Sequence, residues 1–384
     1  MEKIGLMGGT FDPIHDAHLE MAKAAKEQFA LDRILFMTGG NPPHKHTQTD
    51  AKIRHHMVKL ALAGQEDFVP RADEVDSSEP SYTSVTLKKL NQQYPENTVY
   101  FIIGGDSLRD FFTWHEPEEI LRRCVLLVYP RSGYPTQADL DAFCRRHQAR
   151  ASILRLSEAV ISSTEIRQKL AAGEPTEKFL PPPVWEYIRR VRLYQTPPEH
   201  PEEKLKQDLK HDRFLHSLGV RDTAVKMARL FGADEEKAWL AGLLHDCAKN
   251  IPEQEMRSLC EDLEVPLDET EQKMPGLIHP KLGAVLAQIW YGVYDEEIID
   301  AIRWHTIGKP DMGTLAKIIF VADMVEPNRS YPEAEALRAI AFSDLDEAVY
   351  ACVRATVLWN KKRGNIIHPN AYAILYAYHP EKKI

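Results

Sequence analysis

Two stretches of this sequence carry residues whose types and spacing suit phosphate chemistry. The first is Gly8-Gly9-Thr10-Phe11-Asp12-Pro13-Ile14-His15-Asp16-Ala17-His18, which follows an apolar strand pattern and opens a helical one. Adjacent glycines let the backbone approach a ligand closely and offer amide donors. A helix start adds unpaired N–H groups and the positive end of a dipole. His15 and His18 lie one turn apart and face the same way, so both rings can donate to phosphate oxygens. A tight turn with two surface histidines is the plainer alternative. The second stretch is Ile161-Ser162-Ser163-Thr164-Glu165-Ile166-Arg167. Ser162 or Ser163 can cap a helix, and Arg167 lies one turn in, where its fork can grip phosphate. The plainer alternative is a capping box from Ser162 to Glu165 with an exposed arginine.

A different chemistry is suggested further on. His245-Asp246 ends the apolar run Trp239–Leu244, and His216, His279, His305 and Asp323 lie in or at the ends of helical patterns around it. A carboxylate inside an apolar helix, such as Asp323 after Phe320-Val321-Ala322, is costly unless paired or bound to metal. Ligands drawn from several helices are how helical domains build metal centres in their cores. Mixed imidazole and carboxylate donors suit Fe, Mn or Co. Taken singly, each of these histidines is more often a satisfied core or surface residue than a ligand; the ordered set with adjacent His245-Asp246 reverses that.

The elements that must position these residues differ between the two halves. From Met1 to about Gln195, apolar strand patterns at Lys3–Met7, Arg33–Thr38, Thr98–Ile103, Cys124–Tyr129 and Ser152–Leu156 alternate with helical ones such as Ala17–Phe29, Thr83–Gln93 and Thr136–His147. That alternation predicts βαβ units and a Rossmann-like parallel sheet, which binds ligands beyond the carboxyl ends of its strands. Residues 196–204, Pro-rich and acidic, read as a linker. From residue 205 to 384 the apolar spacing is helical throughout, for example over Glu235–Leu244, Pro280–Ile289, Glu296–Trp304 and Leu315–Val325, and predicts an all-α domain.

The formal net charge is -9 over 384 residues, which disfavours nucleic acid as a main partner, since duplex binding needs a positive field. The five cysteines include no C-x-x-C pair and read as reduced thiols of a cytoplasmic protein. The N-terminus lacks signal-peptide character, and no apolar run approaches the roughly 20 residues of a membrane span. The oligomeric state is left open.

With these residues in place, the first half resembles the nucleotidyltransferases with an H-x-G-H type motif, and more closely the bacterial nicotinate-nucleotide adenylyltransferases. The likeness rests on Gly8–His18 and Ile161–Arg167, joined in order by Asn41-Pro42-Pro43-His44-Lys45, Ser81-Tyr82-Thr83, Gly104-Gly105-Asp106-Ser107-Leu108, Trp114-His115 and Arg131-Ser132-Gly133-Tyr134. Two positions depart from the pattern: Ala17 replaces the glycine between the histidines, and Val85 stands where an aspartate is usual. The resemblance implies adenylyl transfer from ATP to nicotinate mononucleotide. It assigns the α/β-phosphates to His15 and His18 and the β/γ-phosphates to Ser163 and Arg167. Lys45 would reach the mobile phosphates, with Mg²⁺ bridging them, and Asp106 would bind a ribose. Trp114 would stack on the nicotinate ring, or else be a core aromatic. Gly8, Gly9, Thr10, Phe11, Arg131 and Ser162 would complete the substrate site. Another superfamily acceptor, such as phosphopantetheine, is the alternative.

The second half resembles the HD phosphohydrolases. Ala241–Lys249, Ala301–Gly308 and Ala322–Arg329 are similar to bacterial HD-domain diadenosine tetraphosphate hydrolases. This implies a site of His216, His245, Asp246 and Asp323, with His279 and His305 completing a second metal and Asp246 bridging the two. Iron is the metal implied, and dinucleoside polyphosphates are the substrates. Arg213, Lys249 and Arg329 are candidate phosphate contacts, or else solvated charges. A regulatory nucleotide-sensing module without turnover is the alternative from another class.

Overall fold

The computed structural model describes residues 2–41, 49–77, 79–131, 133–156 and 161–381. The chain forms two compact units, Met1–Gln195 and Thr196–Ile384. In the first, the order is β1 (Lys3–Gly9), α1 (Asp16–Phe29), β2 (Arg33–Thr38), α2 (Ala51–Leu62), β3 (Phe68–Arg71), α3 (Thr83–Gln93), β4 (Thr98–Gly104), α4 (Gly105–Arg109), α5 (Pro117–Arg123), β5 (Val125–Tyr129), α6 (Gln137–His147), β6 (Ala151–Ile153), α7 (Ser163–Ala171) and α8 (Pro182–Val191). The six strands are all parallel, in the order β3-β2-β1-β4-β5-β6. The inner strands read as near-continuous apolar runs because helices cover both faces of such a sheet. Ile4, Leu6, Leu35, Phe101, Leu126 and Val128 form part of one core cluster.

The sequence patterns miss β3, whose residues are Phe68-Val69-Pro70-Arg71. Proline cannot donate to a ladder, so it demotes a strand when read from sequence. The structure accommodates Pro70 because β3 is an edge strand, with Pro70 opposite Phe36 of β2.

The second unit contains only helices among its described residues: α9 (Pro201–Asp208), α10 (His211–Phe231), α11 (Glu235–Leu244), α12 (Glu253–Asp262), α13 (Glu269–Lys273), α14 (His279–Tyr291), α15 (Glu296–Trp304), α16 (Thr314–Val325), α17 (Ala334–Ala341), α18 (Leu345–Arg363) and α19 (Pro369–Tyr378), with a short 3-10 turn before α14. The segment 196–204, expected as a linker, is one only in part: α9 begins at Pro201, with Glu202 and Glu203 in its first turn. Proline at N1 and acidic residues after it favour a helix start, and together they mimic linker composition. α10 packs on α11 and α16, and α15 packs on α14 and α16. A β-carbon at Gly242 would lie 2.8 Å from the Arg221 Cα, so only glycine allows α11 this close to α10. No described helix is long and apolar enough to cross a membrane.

Candidate active sites

In the first unit the chain direction of successive crossovers reverses between β1 and β4, and their carboxyl ends lie side by side. A parallel sheet opens a crevice at such a point. Gly8 and Gly9 end β1, Gly104 ends β4, Arg131 follows β5, and Ser162 and Ser163 lead into α7. A cavity of about 470 Å³ lies there, lined by Gly8, Gly9, Thr10, Phe11, His15, His18, Asp106, Trp114, Arg131, Ser162, Ser163 and Arg167. A second cavity of about 610 Å³ shares Gly8, Gly9, Thr10, Asp106, Trp114 and Arg131 with it, and is otherwise walled by residues including Glu74, Ser81, Tyr82, Thr83 and His115.

His15 caps α1 and is buried. The His15 N–H donates to Nδ1 of His18 at 3.3 Å, which in the neutral ring leaves the His18 proton on Nε2. The two rings lie 3.9 Å apart between centroids. Burial, and then the charge of Arg131, push His15 down to about 4. At neutral pH it is therefore a hydrogen-bonding group and not a fixed cation. Ala17 is buried in α1 without distortion, since alanine favours a helix.

The remaining expected residues divide by what their side chains do. Ser162 is the N-cap of α7 in a reciprocal capping box with Glu165, so its hydroxyl serves the helix as well as lining the cavity. Ser163 donates to the Pro13 carbonyl (3.0 Å), and Arg167 donates to the Asp12 carbonyl (2.6 Å), tying α7 to the loop that precedes α1. The Phe11 ring is 2% exposed and packs against Phe36 and His18, so it supports the loop from beneath. Asp106 faces Arg131 at 3.6 Å. Trp114 packs on Phe111 and the core and also lines both cavities. Lys45, with Pro42, Pro43 and His44, lies outside the described residues, as does Ser132.

One supporting residue escaped the sequence reading. Arg54 on α2 is 1% exposed. Its guanidinium donates to the carbonyls of Thr10 (2.6 Å), Gly39 (2.8 Å), Gly40 (3.1 Å) and Thr49 (3.1 Å), clamping the two strand ends that frame the cavity. The available signal was a charged residue on the apolar stripe Ile53, Met57, Val58, Ala61 of α2.

In the second unit, His216 lies within α10, His245 and Asp246 follow α11, His279 opens α14, His305 follows α15 and Asp323 lies on α16. The structure brings all six together. One group is His216, His245 and Asp246, and the other is Asp246, His279 and His305. His216 Nε2 is 2.9 Å from Asp323 Oδ1, and His245 Nε2 is 3.4 Å from Asp246 Oδ2. On the other side, Asp246 Oδ1 is 3.1 Å from His279 Nε2 and 3.5 Å from His305 Nε2. The two oxygens of Asp246 thus serve the two groups.

The donor set suits divalent metal. His245, His279 and His305 each direct Nδ1 at a backbone carbonyl, of Gly242, Gly276 and Ile302 (2.8, 2.8 and 2.7 Å). A carbonyl only accepts, so Nδ1 carries the proton and Nε2 presents a lone pair. These nitrogens meet in pairs: His216 with His245 at 3.3 Å, and His279 with His305 at 3.2 Å. Asp246 Oδ1 is buried without a well-formed hydrogen bond, because His279 Nε2 has no proton to give it. Converging lone pairs around a buried carboxylate are what a cation requires.

Each of the three expected basic residues reaches one of these ligand residues. Arg213 donates to Asp246 Oδ2 (2.8 Å), Arg329 to Asp323 Oδ1 (2.6 Å), and Lys249 Nζ lies 3.2 Å from His279 Nε2. Burial lowers Lys249 from its ordinary value, against the pull of Asp246.

Residues 6–169 match the cytidylyltransferase-like family model, and residues 213–328 match the HD domain. A probable nicotinate-nucleotide adenylyltransferase of Synechococcus sp. is 42% identical over 199 residues, covering 51% of this chain and 96% of that protein. The symmetrical bis(5'-nucleosyl)-tetraphosphatase of Bacillus subtilis is 39% identical over 168 residues, covering 44% of this chain and 90% of that protein. A Mycoplasma genitalium protein named as a probable nicotinate-nucleotide adenylyltransferase/Ap4A hydrolase aligns across both units, 28% identical over 354 residues, 90% of this chain and 95% of its own length. The chain therefore belongs to the nicotinate-nucleotide adenylyltransferase family in its N-terminal half and to the HD-domain tetraphosphatase family in its C-terminal half.

Proposed function

We propose that the first unit transfers the adenylyl group of ATP to nicotinate mononucleotide, and that the second cleaves dinucleoside polyphosphates such as diadenosine tetraphosphate into two ADP. For the first, the observation that carries the reading is the joined cavity at the β1–β4 crevice. One part is lined by His15, His18, Arg167 and the start of α7, and the other by Trp114, Tyr82 and His115. A phosphate oxygen of the mononucleotide attacks the α-phosphorus of ATP, the bond to the β-phosphate bridge breaks, and pyrophosphate leaves. The nucleophile is already anionic, so the site needs donors and alignment more than a base. His18 Nε2–H and the Gly8–Thr10 backbone would hold the α/β-phosphates. Arg167 and Ser163 would take the β/γ-phosphates, and Lys45 would reach them from its own segment. Asp106 would bind a ribose, with Trp114 stacking on the pyridine ring. The groups of His, Cys, Asp and Glu able to hold a metal among the described residues all lie in the second unit, so Mg²⁺ would enter with the triphosphate.

For the second reaction, the carrying observation is the pair of ligand groups sharing Asp246. His216, His245 and Asp323 with one Asp246 oxygen, and His279 and His305 with the other, would hold two divalent ions, by family likeness iron. Such ions lower the pKa of water and polarise phosphoryl oxygens. Arg213, Lys249 and Arg329 would neutralise the polyphosphate. Five free thiols suit a reducing compartment, which supports reading both activities as cytoplasmic.

The test is pyrophosphate release from ATP with nicotinate mononucleotide, nicotinamide mononucleotide or phosphopantetheine, each offered alone, beside product analysis of diadenosine tetraphosphate. Preference for the nicotinate compound and ADP as sole hydrolysis product are expected. Turnover only with phosphopantetheine, or metal-loaded protein that cleaves no dinucleoside polyphosphate, would overturn the corresponding half.

A further inference from the structure

The four ligand histidines are not backed alike. His245, His279 and His305 lean on neutral backbone carbonyls near helix ends. His216 lies inside α10, where carbonyls are committed to the helix ladder, and its Nδ1 is instead 3.1 Å from Oε1 of Glu326. Glu326 is 1% exposed, and its second oxygen accepts the Asn328 N–H at 2.7 Å. Room for that carboxylate is made by Gly219, one turn along α10 from His216: a β-carbon there would stand 2.4 Å from Glu326 Oε2. A buried carboxylate held by one amide and one imidazole is costly for folding alone, and behind a metal-binding histidine it has a use. It fixes the tautomer and raises the basicity of the ligand nitrogen beyond what a carbonyl achieves.

We propose that Glu326 is a positioning residue for His216 and makes the two halves of the centre unequal, so that the half built on His216, His245 and Asp323 takes its divalent ion first and more tightly. The proposal rests on reading the centre as binuclear. The basic residues do not create the asymmetry but oppose it: Arg213 and Arg329, on Asp246 Oδ2 and Asp323, both stand at the first half, and only Lys249, on His279, stands at the second. The halves differ in that the first has two carboxylates and a carboxylate-backed histidine, while the second shares Asp246 and has carbonyl-backed rings only.

The experiment titrates metal-free, full-length protein with Co²⁺ in competition with a chelator, following visible absorption and bound metal. Wild type should show a tight and a weak site. Glu326→Gln, which keeps the volume but removes the charge, should weaken the tight site about 10–100-fold and leave the weak one unchanged. Gly219→Ala, which keeps the carboxylate but displaces it, should do the same, and tests the contact if the first variant does not fold. Wild-type binding in both variants overturns the proposal. So does equal weakening of both sites, which is what general loosening would give. Failure of wild type to bind Co²⁺ at all would instead remove the metal-centre reading on which this one stands.

Discussion

His15, the buried N-cap of α1, lines the first cavity, and its environment disfavours the charged ring. Burial and the nearby Arg131 lower its folded value to about 4, whereas the unfolded chain takes the proton near 6.5. The sign follows: the unfolded state binds more protons between those values, so acidification through that window costs stability, and above it His15 is neutral. NMR titration of the ligand-free protein should show His15 without a charge transition above about pH 5. A midpoint near the ordinary histidine value would contradict this placement. The residues legible from sequence at this scale were those of unusual type in apolar surroundings, such as Asp323 and His245. Glu326 stood in plain view after α16, yet its role depends on α10 passing beside it, which no spacing along the chain reveals. Phe11 lines the cavity and also packs inward, against a Gly9 whose β-carbon would meet that ring at 3.3 Å.

Among the elements, the turns after β1 and β4 hold the first site, and they tolerate change unequally. A β-carbon at Gly105 would stand 2.1 Å from the Tyr134 carbonyl, which itself accepts the Arg131 N–H at 2.8 Å. Gly105→Ala should therefore displace Arg131, lower stability by about 1–3 kcal/mol, and reduce adenylyl transfer. At Gly8 the nearest atom is 3.7 Å away, so Gly8→Ala should leave thermal stability close to wild type and weaken ATP binding alone. Calorimetry with transfer assays separates the two, and equal stability losses would contradict the contrast. Arg54→Met should orphan the Thr10, Gly39 and Gly40 carbonyls, at about 1–3 kcal/mol for each one left unsatisfied, and lower transferase activity with hydrolysis unchanged. Strand and helix alternation was readable because burial on both sheet faces leaves continuous apolar runs. β3 and α9 were not, since Pro70 and Pro201 are ambiguous until their position at a sheet edge or helix start is known.

At the scale of the molecule, each unit has its own core and its own chemistry. Exhaustive metal removal followed by Mg²⁺ alone should restore adenylyl transfer but not polyphosphate hydrolysis, because only the second unit offers converging histidines and carboxylates among the described residues. Recovery of hydrolysis with Mg²⁺ would argue against the imidazole-rich centre as its seat.

The most direct test of two independent active sites is to assay both reactions in two full-length variants, His18→Ala and Asp246→Ala. The first should lose at least about 100-fold in adenylyl transfer, the cost of one preorganised donor, while retaining hydrolysis. The second should lose hydrolysis and retain transfer. If either substitution abolishes both reactions in a protein that remains folded, the chain does not work through two separate sites.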